Sequence, residues 1–188
     1  MSSTATCSSD CTCTSSGRTL TLLQSSTKHQ AAMQRGYIDG LVSDIPDERM
    51  AAQFPGVVNH PAWHLGHLAV SADEILGAIG GKSTLDAETR ARYGMGSKPV
   101  QDRAAYPSKA ALLAMFDDRR TALMDAFLAM TPDQLVAANP IPSLAGPLPT
   151  VADLVSFLLV AHESMHAGQL AVWRRAAGMI SAMERRAS

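Results

Sequence analysis

The chain is poor in aromatic residues. Two Trp, three Tyr and four Phe make up 5% of its 188 residues. So few rings argue against the rows of stacking platforms on which single-stranded nucleic acids lie. A basic excess is also missing. Sixteen Lys and Arg face 17 Asp and Glu, a formal charge of −1, whereas nucleic-acid proteins show a positive patch or stripe. No stretch approaches the roughly 20 apolar residues of a membrane span. The segment Met1 to Ser16 is rich in Ser and Thr and lacks an apolar signal core. β-branched runs and alternating strand patterns are scarce, and there is no internal repeat.

Cysteine is nearly absent. Cys7, Cys11 and Cys13 are the only three, and all lie in that Ser/Thr-rich start. An odd number crowded into one polar segment is not a disulfide framework. The expected compartment is therefore a reducing cytoplasm. Cys-x3-Cys-x-Cys can bind a soft metal, but the composition of 1–17 favours a disordered extension.

What remains is rich in Ala and Met, which favours helices. The length allows one domain with a core that needs no staples. We expect it over 18–180, followed by a C-terminal tail over 181–188. Four amphipathic segments are legible. The first runs from Leu20 to about Val42, with a stripe of Leu20, Leu23, Thr27, Ala31, Ile38 and Leu41. His29 falls on its opposite, solvated face. Ile45-Pro46-Asp47-Glu48 reads as a stop and short restart. The second helix begins near Asn59, taken as N-cap, with Pro61 in its first turn, and stops at Gly80-Gly81.

From Gly80 to Pro107 no clean period appears. A connection this long either serves function or crosses between the ends of a bundle. Ser108 caps the third helix, whose stripe is Leu112, Phe116, Leu123, Phe127 and Met130. After a Pro-rich loop over 139–149, Thr150 and Asp153 form a near capping box for a fourth helix, Val151 to about Ala177. The expected fold is all-α, a four-helix bundle with a long crossover between helices 2 and 3.

The fourth helix carries the most informative segment, His162-Glu163-Ser164-Met165-His166-Ala167-Gly168-Gln169. On an ideal wheel Val151, Val155, Leu158, His166, Gln169 and Trp173 lie within about 40° of His162. Two imidazoles four residues apart in an apolar stripe lose hydration unless a metal or hydrogen bonds satisfy them. As a pair they favour metal. Catalytic zinc takes three protein ligands and one open position. The second helix offers His60, His64 and His67. Periodicity leans to His64, nearer Leu65, Leu68 and Leu76; His67 shares a flank with Ser71 and Glu74.

The letters His162-Glu163-x-x-His166 also spell the zinc-peptidase motif. That reading needs Glu163 as general base and a third ligand downstream. Gln169 and Val172 stand where Gly and His would continue the metzincin pattern. On the wheel Glu163 points about 100° from His162, as a surface or inter-helix residue would. The peptidase reading fails on context. Arg119 and Arg120 flank the third stripe and are expected to snorkel to solvent.

Trp63-His64-Leu65-Gly66-His67-Leu68-Ala69, followed far downstream by His162-x3-His166-x-Gly168-Gln169, resembles the DinB/YfiT-like superfamily of metal-dependent enzymes. The resemblance covers about Leu20 to Met179, with Arg175 and Gly178 also in place. It implies a four-helix bundle in which His67, His162 and His166 hold a divalent metal, with His64 as the alternative ligand. Zinc or nickel are the first candidates, iron or manganese the next, since imidazole suits several of these ions. Gln169 and Glu74 are expected to orient a ligand or substrate. The resemblance further implies a thiol-dependent transferase acting on a small electrophile, and a homodimer without nucleic-acid or membrane partners. A non-catalytic, stress-linked metal- or ligand-binding bundle and a metal-dependent hydrolase are the alternatives.

Overall fold

In a computed structural model of the chain, residues 14–15, 18–19 and 21–182 are described. Thr14–Ser15 and Arg18–Thr19 pair as a short antiparallel ladder. Apart from two isolated bridges, Phe54 with Val57 and Ala138 with Thr150, the rest of the regular structure among the described residues is helical. The helices are α1 (Leu22–Val42), α2 (Pro61–Ala78), α3 (Ala87–Tyr93), α4 (Lys109–Ala129), α5 (Pro132–Val136), α6 (Val151–Ser156) and α7 (Glu163–Ala176). A π-helical segment, Phe157–His162, joins α6 to α7 without a break. The all-α expectation holds. No helix among the described residues is long and apolar enough to cross a membrane. Cys7, Cys11 and Cys13, most of the expected tails, and Leu20 lie outside the described residues.

Local chemistry sets the helix starts. Ser108 and Thr150 cap α4 and α6 as the sequence predicts, the latter through a capping box with Asp153. α1 begins at a box between Thr21 and Gln24. Gln24 is buried and donates to the Phe127 carbonyl at 2.8 Å, whereas Leu23, assigned to the packed stripe by periodicity, is 45% exposed. The N-cap of α2 is His60, not Asn59: its Nδ1 accepts from the Trp63 amide at 3.2 Å. Pro61 in the first helical position fixes the cap one residue before it. The Nε2–H of His60 donates to the Val100 carbonyl at 3.0 Å, so one imidazole both caps the helix and holds the connection.

α2 is the central helix. From Pro61 to Val70 every residue is buried, and it packs along α4 and against α3 and α7. A helix apolar on all sides belongs inside a core. α1 packs against the π segment and α7. Two apolar clusters result. One contains Trp63, Leu65, Leu68, Tyr93, Leu170 and Trp173. The other contains Ala72, Ile75, Phe127, Leu154, Val155 and Leu158. His67 lies within the α2 stretch of the first, one turn before the second begins at Ala72.

The long connection is ordered around two anchors. Tyr93, at the end of α3, is 1% exposed, and its ring lies over Gly66. A Cβ at Gly66 would stand 2.2 Å from that ring, so only glycine admits the contact. The second anchor is Asp73, fully buried on α2. It accepts from Ser83 Oγ (2.6 Å), the Thr84 and Leu85 amides (2.9 and 3.2 Å), Arg90 (3.0 Å) and Arg119 (3.3 Å). Arg119 and Arg120 thus do not snorkel. Each is 9% exposed, and Arg120 Nε donates to Glu163 Oε1 at 2.7 Å while its Nη2 donates to the Ala31 carbonyl. A buried guanidinium persists where carboxylates and carbonyls accept its hydrogen bonds.

Candidate metal centre

His67 comes from the middle of α2, His162 from the end of the π segment and His166 from the first turns of α7. Their ligand nitrogens all lie within 4.8 Å of one another. Nε2 of His162 and Nε2 of His166 are 3.1 Å apart. Two nitrogens on one tetrahedral zinc at ordinary bond lengths stand about 3.3 Å apart. His67 and His166 are buried and His162 half-buried.

Two of the three rings are oriented by what stands behind them. The Nδ1–H of His67 donates to the Tyr93 carbonyl at 2.7 Å, which leaves Nε2 with its lone pair free. Trp63 stacks on the same ring, with centroids 4.7 Å apart and planes inclined by 8°. Trp63 in turn donates to Ser97 Oγ at 2.8 Å. His166 Nδ1 lies 3.0 Å from Nδ1 of His64. With His166 as donor there, its Nε2 becomes the free nitrogen facing His162.

Electrostatics keep the rings neutral, the form in which imidazole binds metal. Burial, and after it the neighbouring rings, pushes His166 down to about 2. The same causes bring His64 to about 3 and His162 to about 4. His67 is lowered by burial, against the pull of its Tyr93 bond and the Glu74 carboxylate. Nδ1 of His162 and Nε2 of His64 are buried with no hydrogen-bond partner among the described residues. Hydrogen bonding alone therefore leaves this histidine cluster incompletely satisfied.

One side of the cluster is open. His67 and His162 line a cavity of about 320 Å³ whose walls include Ile75, Leu154, Phe157 and Leu158. Glu74, exposed, also faces it. Gln169 does not: it is exposed, lies 3.4 Å from Asn59 Nδ2, and borders a separate surface depression with Val58 and Val172. The π segment explains this. Its i→i+5 bonding packs more residues into each turn than the ideal wheel allows. The buried face of α7 consequently becomes Glu163, His166, Ala167, Leu170, Trp173 and Arg174. Gln169 is carried outward and Glu163 inward.

Glu163 is 3% exposed and bonded to Arg120. Burial raises its carboxyl to about 7, against the attraction of Arg120. It joins α7 to α4 rather than serving as the general base of a peptidase. His29 is exposed and bonds the Ser25 carbonyl, clear of the cluster.

The family model described as the DinB superfamily matches residues 30–170. The chain belongs to the DinB superfamily. The matched span takes in all three histidines of the cluster and the whole of the long connection. No curated protein matches the chain.

Within this DinB domain, two supports were not assigned from sequence. The Tyr93 carbonyl is a backbone group, and no side-chain pattern signals it. His64, on the same short motif as His67, reads from the sequence only as a rival ligand. Its contact with His166 gives it a different part. We expect His64→Ala to retain metal at saturation but to bind it roughly 10–100-fold more weakly, the usual cost of losing such a support. Equilibrium competition with a chelator measures this; complete loss of the ion at saturation would instead make His64 a ligand.

Proposed function

We propose that this protein holds one divalent metal on His67, His162 and His166 and uses it to activate a small cellular thiol for attack on an electrophile. The observation that carries the reading is the cavity beside His67 and His162. Structural metal sites are closed by protein ligands, whereas catalytic ones keep a position open to solvent or substrate. A divalent ion there would supply Lewis acidity, lowering the pKa of a thiol or water into the neutral range.

The chain's own contributions follow from the geometry. Three neutral imidazoles add no charge, so the ion keeps its full positive field. Tyr93 and His64 fix the rings of His67 and His166 in the orientation that frees one nitrogen of each. Trp63 packs flat against His67 and limits its rotation. The apolar walls exclude water from the side where an electrophile would lie, which strengthens every charge interaction inside. Ser71 Oγ, 3.5 Å from His67 Nε2, lies at the edge of the cluster. It can orient a polar group of the bound molecule.

The test is a panel of electrophiles offered with bacillithiol, mycothiol, glutathione and coenzyme A to the zinc- or nickel-loaded protein. We expect consumption of one thiol that requires the metal and disappears in His162→Ala. Electrophile turnover without thiol would replace this reading by a metal-dependent hydrolase. No turnover of any kind, with the metal in place, would leave a non-catalytic binding protein.

A further inference from the structure

The cavity beside the histidines has a chemical character of its own. α2 and the last helix form two of its sides. Ile141, Ser143 and Leu144 of the Pro-rich loop and Met95 of the long connection close the others. Met95 is 96% exposed, so a large apolar side chain stands at the mouth with most of its surface in water. Among the described residues no lysine or arginine lines the space, and Glu74 is its only carboxylate. The volume of about 320 Å³ sits at the small end of small-molecule sites, about 300–1,000 Å³.

We propose that this cavity binds a small, mainly apolar molecule, of the size of one ring with a short chain, whose polar end is neutral or cationic. Glu74 sets the charge preference. The apolar walls provide the binding energy, since each buried CH₂ contributes through desolvation. The Glu74 carboxylate attracts an ammonium or accepts from a hydroxyl, and repels a carboxylate. Glu74 opposes the attraction of the metal for anions, so an anionic electrophile binds less well here than it would beside the ion alone. The inference rests on the proposed function only in taking this cavity as the approach to the metal.

The test compares three probes with one apolar body: 3-phenylpropylamine, 3-phenylpropanol and 3-phenylpropanoate. Each is titrated calorimetrically into the zinc-loaded 188-residue chain and into its Glu74→Gln, Glu74→Lys and Leu144→Trp variants. Because any ligation of zinc by a probe is common to all these proteins, the effect of Glu74 is read as a change in the amine-to-carboxylate affinity ratio. We expect Glu74→Lys to move that ratio toward the carboxylate by at least about tenfold, with Glu74→Gln intermediate and the alcohol nearly unchanged. Leu144→Trp, which fills the space, should weaken all three. Glu74 is exposed, so its variants are expected to fold.

An unchanged ratio, equal binding in Leu144→Trp, or no saturable binding at millimolar concentration would each overturn the inference. Elemental analysis of the same samples separates the two proposals. One zinc per chain without probe binding defeats the cavity inference alone. Probe binding in the expected order by protein that holds no zinc supports the cavity inference and defeats only the metal reading.

Discussion

Asp73→Ala is expected to lower the unfolding free energy by about 3–5 kcal/mol, the cost of removing one partner from a buried charged network. Asp73 has no solvent exposure, and its two oxygens serve Ser83, Thr84, Leu85, Arg90 and Arg119. Burial alone would raise its carboxyl, but the bonds from Ser83, Thr84, Leu85 and Arg90 outweigh that and hold it below the ordinary carboxylate value. Alanine leaves the Arg119 guanidinium and two amides without this acceptor. The damage should also reach the histidine cluster. Asp73 ties Ser83–Leu85 and Arg90 to α2, and α3 ends in the Tyr93 whose carbonyl holds His67. Urea titration measures the loss. A loss below about 1 kcal/mol would mean that the network contributes little net stability.

The second large effect is acid sensitivity. Burial depresses the histidines of α2 and the last helix, His60 and His162 to about 4, His64 to about 3 and His166 to about 2. A group whose folded pKa lies below its unfolded value binds its proton more readily in the unfolded chain. Its stabilising contribution is full above the unfolded value of about 6.5 and is lost as pH falls from there toward the folded value. For His60 alone, which is fully buried and clear of the metal cluster, the window from 6.5 to about 4 corresponds to on the order of 3 kcal/mol.

Protonation there also destroys the helix cap, because Nδ1 can no longer accept from the Trp63 amide. The metal-free protein should therefore lose stability steeply between pH 6.5 and 4. Bound metal should resist the loss until protons displace it. Urea midpoints across this range measure the slope. His60→Asn, which supplies an acceptor for the cap without a titrating ring but is too short to reach the Val100 carbonyl, should reduce the slope by about one proton. An unchanged slope in that variant would place the acid sensitivity elsewhere.

The parts of the fold legible in the sequence are those set by local chemistry. Ser108, Thr150 and Pro61 mark helix starts because a cap or a fixed φ acts within three residues. The stripe Leu112, Phe116, Leu123 and Phe127 is legible because α4 buries only one face. The same reasoning fails on α2. A helix buried all round has no polar face to contrast with, so periodicity leans to His64, and only the family resemblance points to His67.

On the last helix the ideal wheel misplaces Gln169 and Glu163, because a π segment leaves no mark in a 100° step. The pairing of Arg120 with Glu163 spans 43 residues of sequence, and that of Arg119 with Asp73 spans 46. Neither can be read from neighbouring letters. The cavity is similarly assembled from four separate stretches of chain, and the sequence marks only the histidines at its base and Glu74 on its wall.

Metal content decides the central claim. The purified protein and its His67→Ala, His162→Ala, His166→Ala and His64→Ala variants would be dialysed against saturating zinc or nickel, freed of loose ion and analysed for bound metal. The account predicts one ion per chain in the wild type and in His64→Ala, and none in the other three. No bound metal in the wild type would contradict it, as would His67→Ala keeping its ion while His64→Ala loses it.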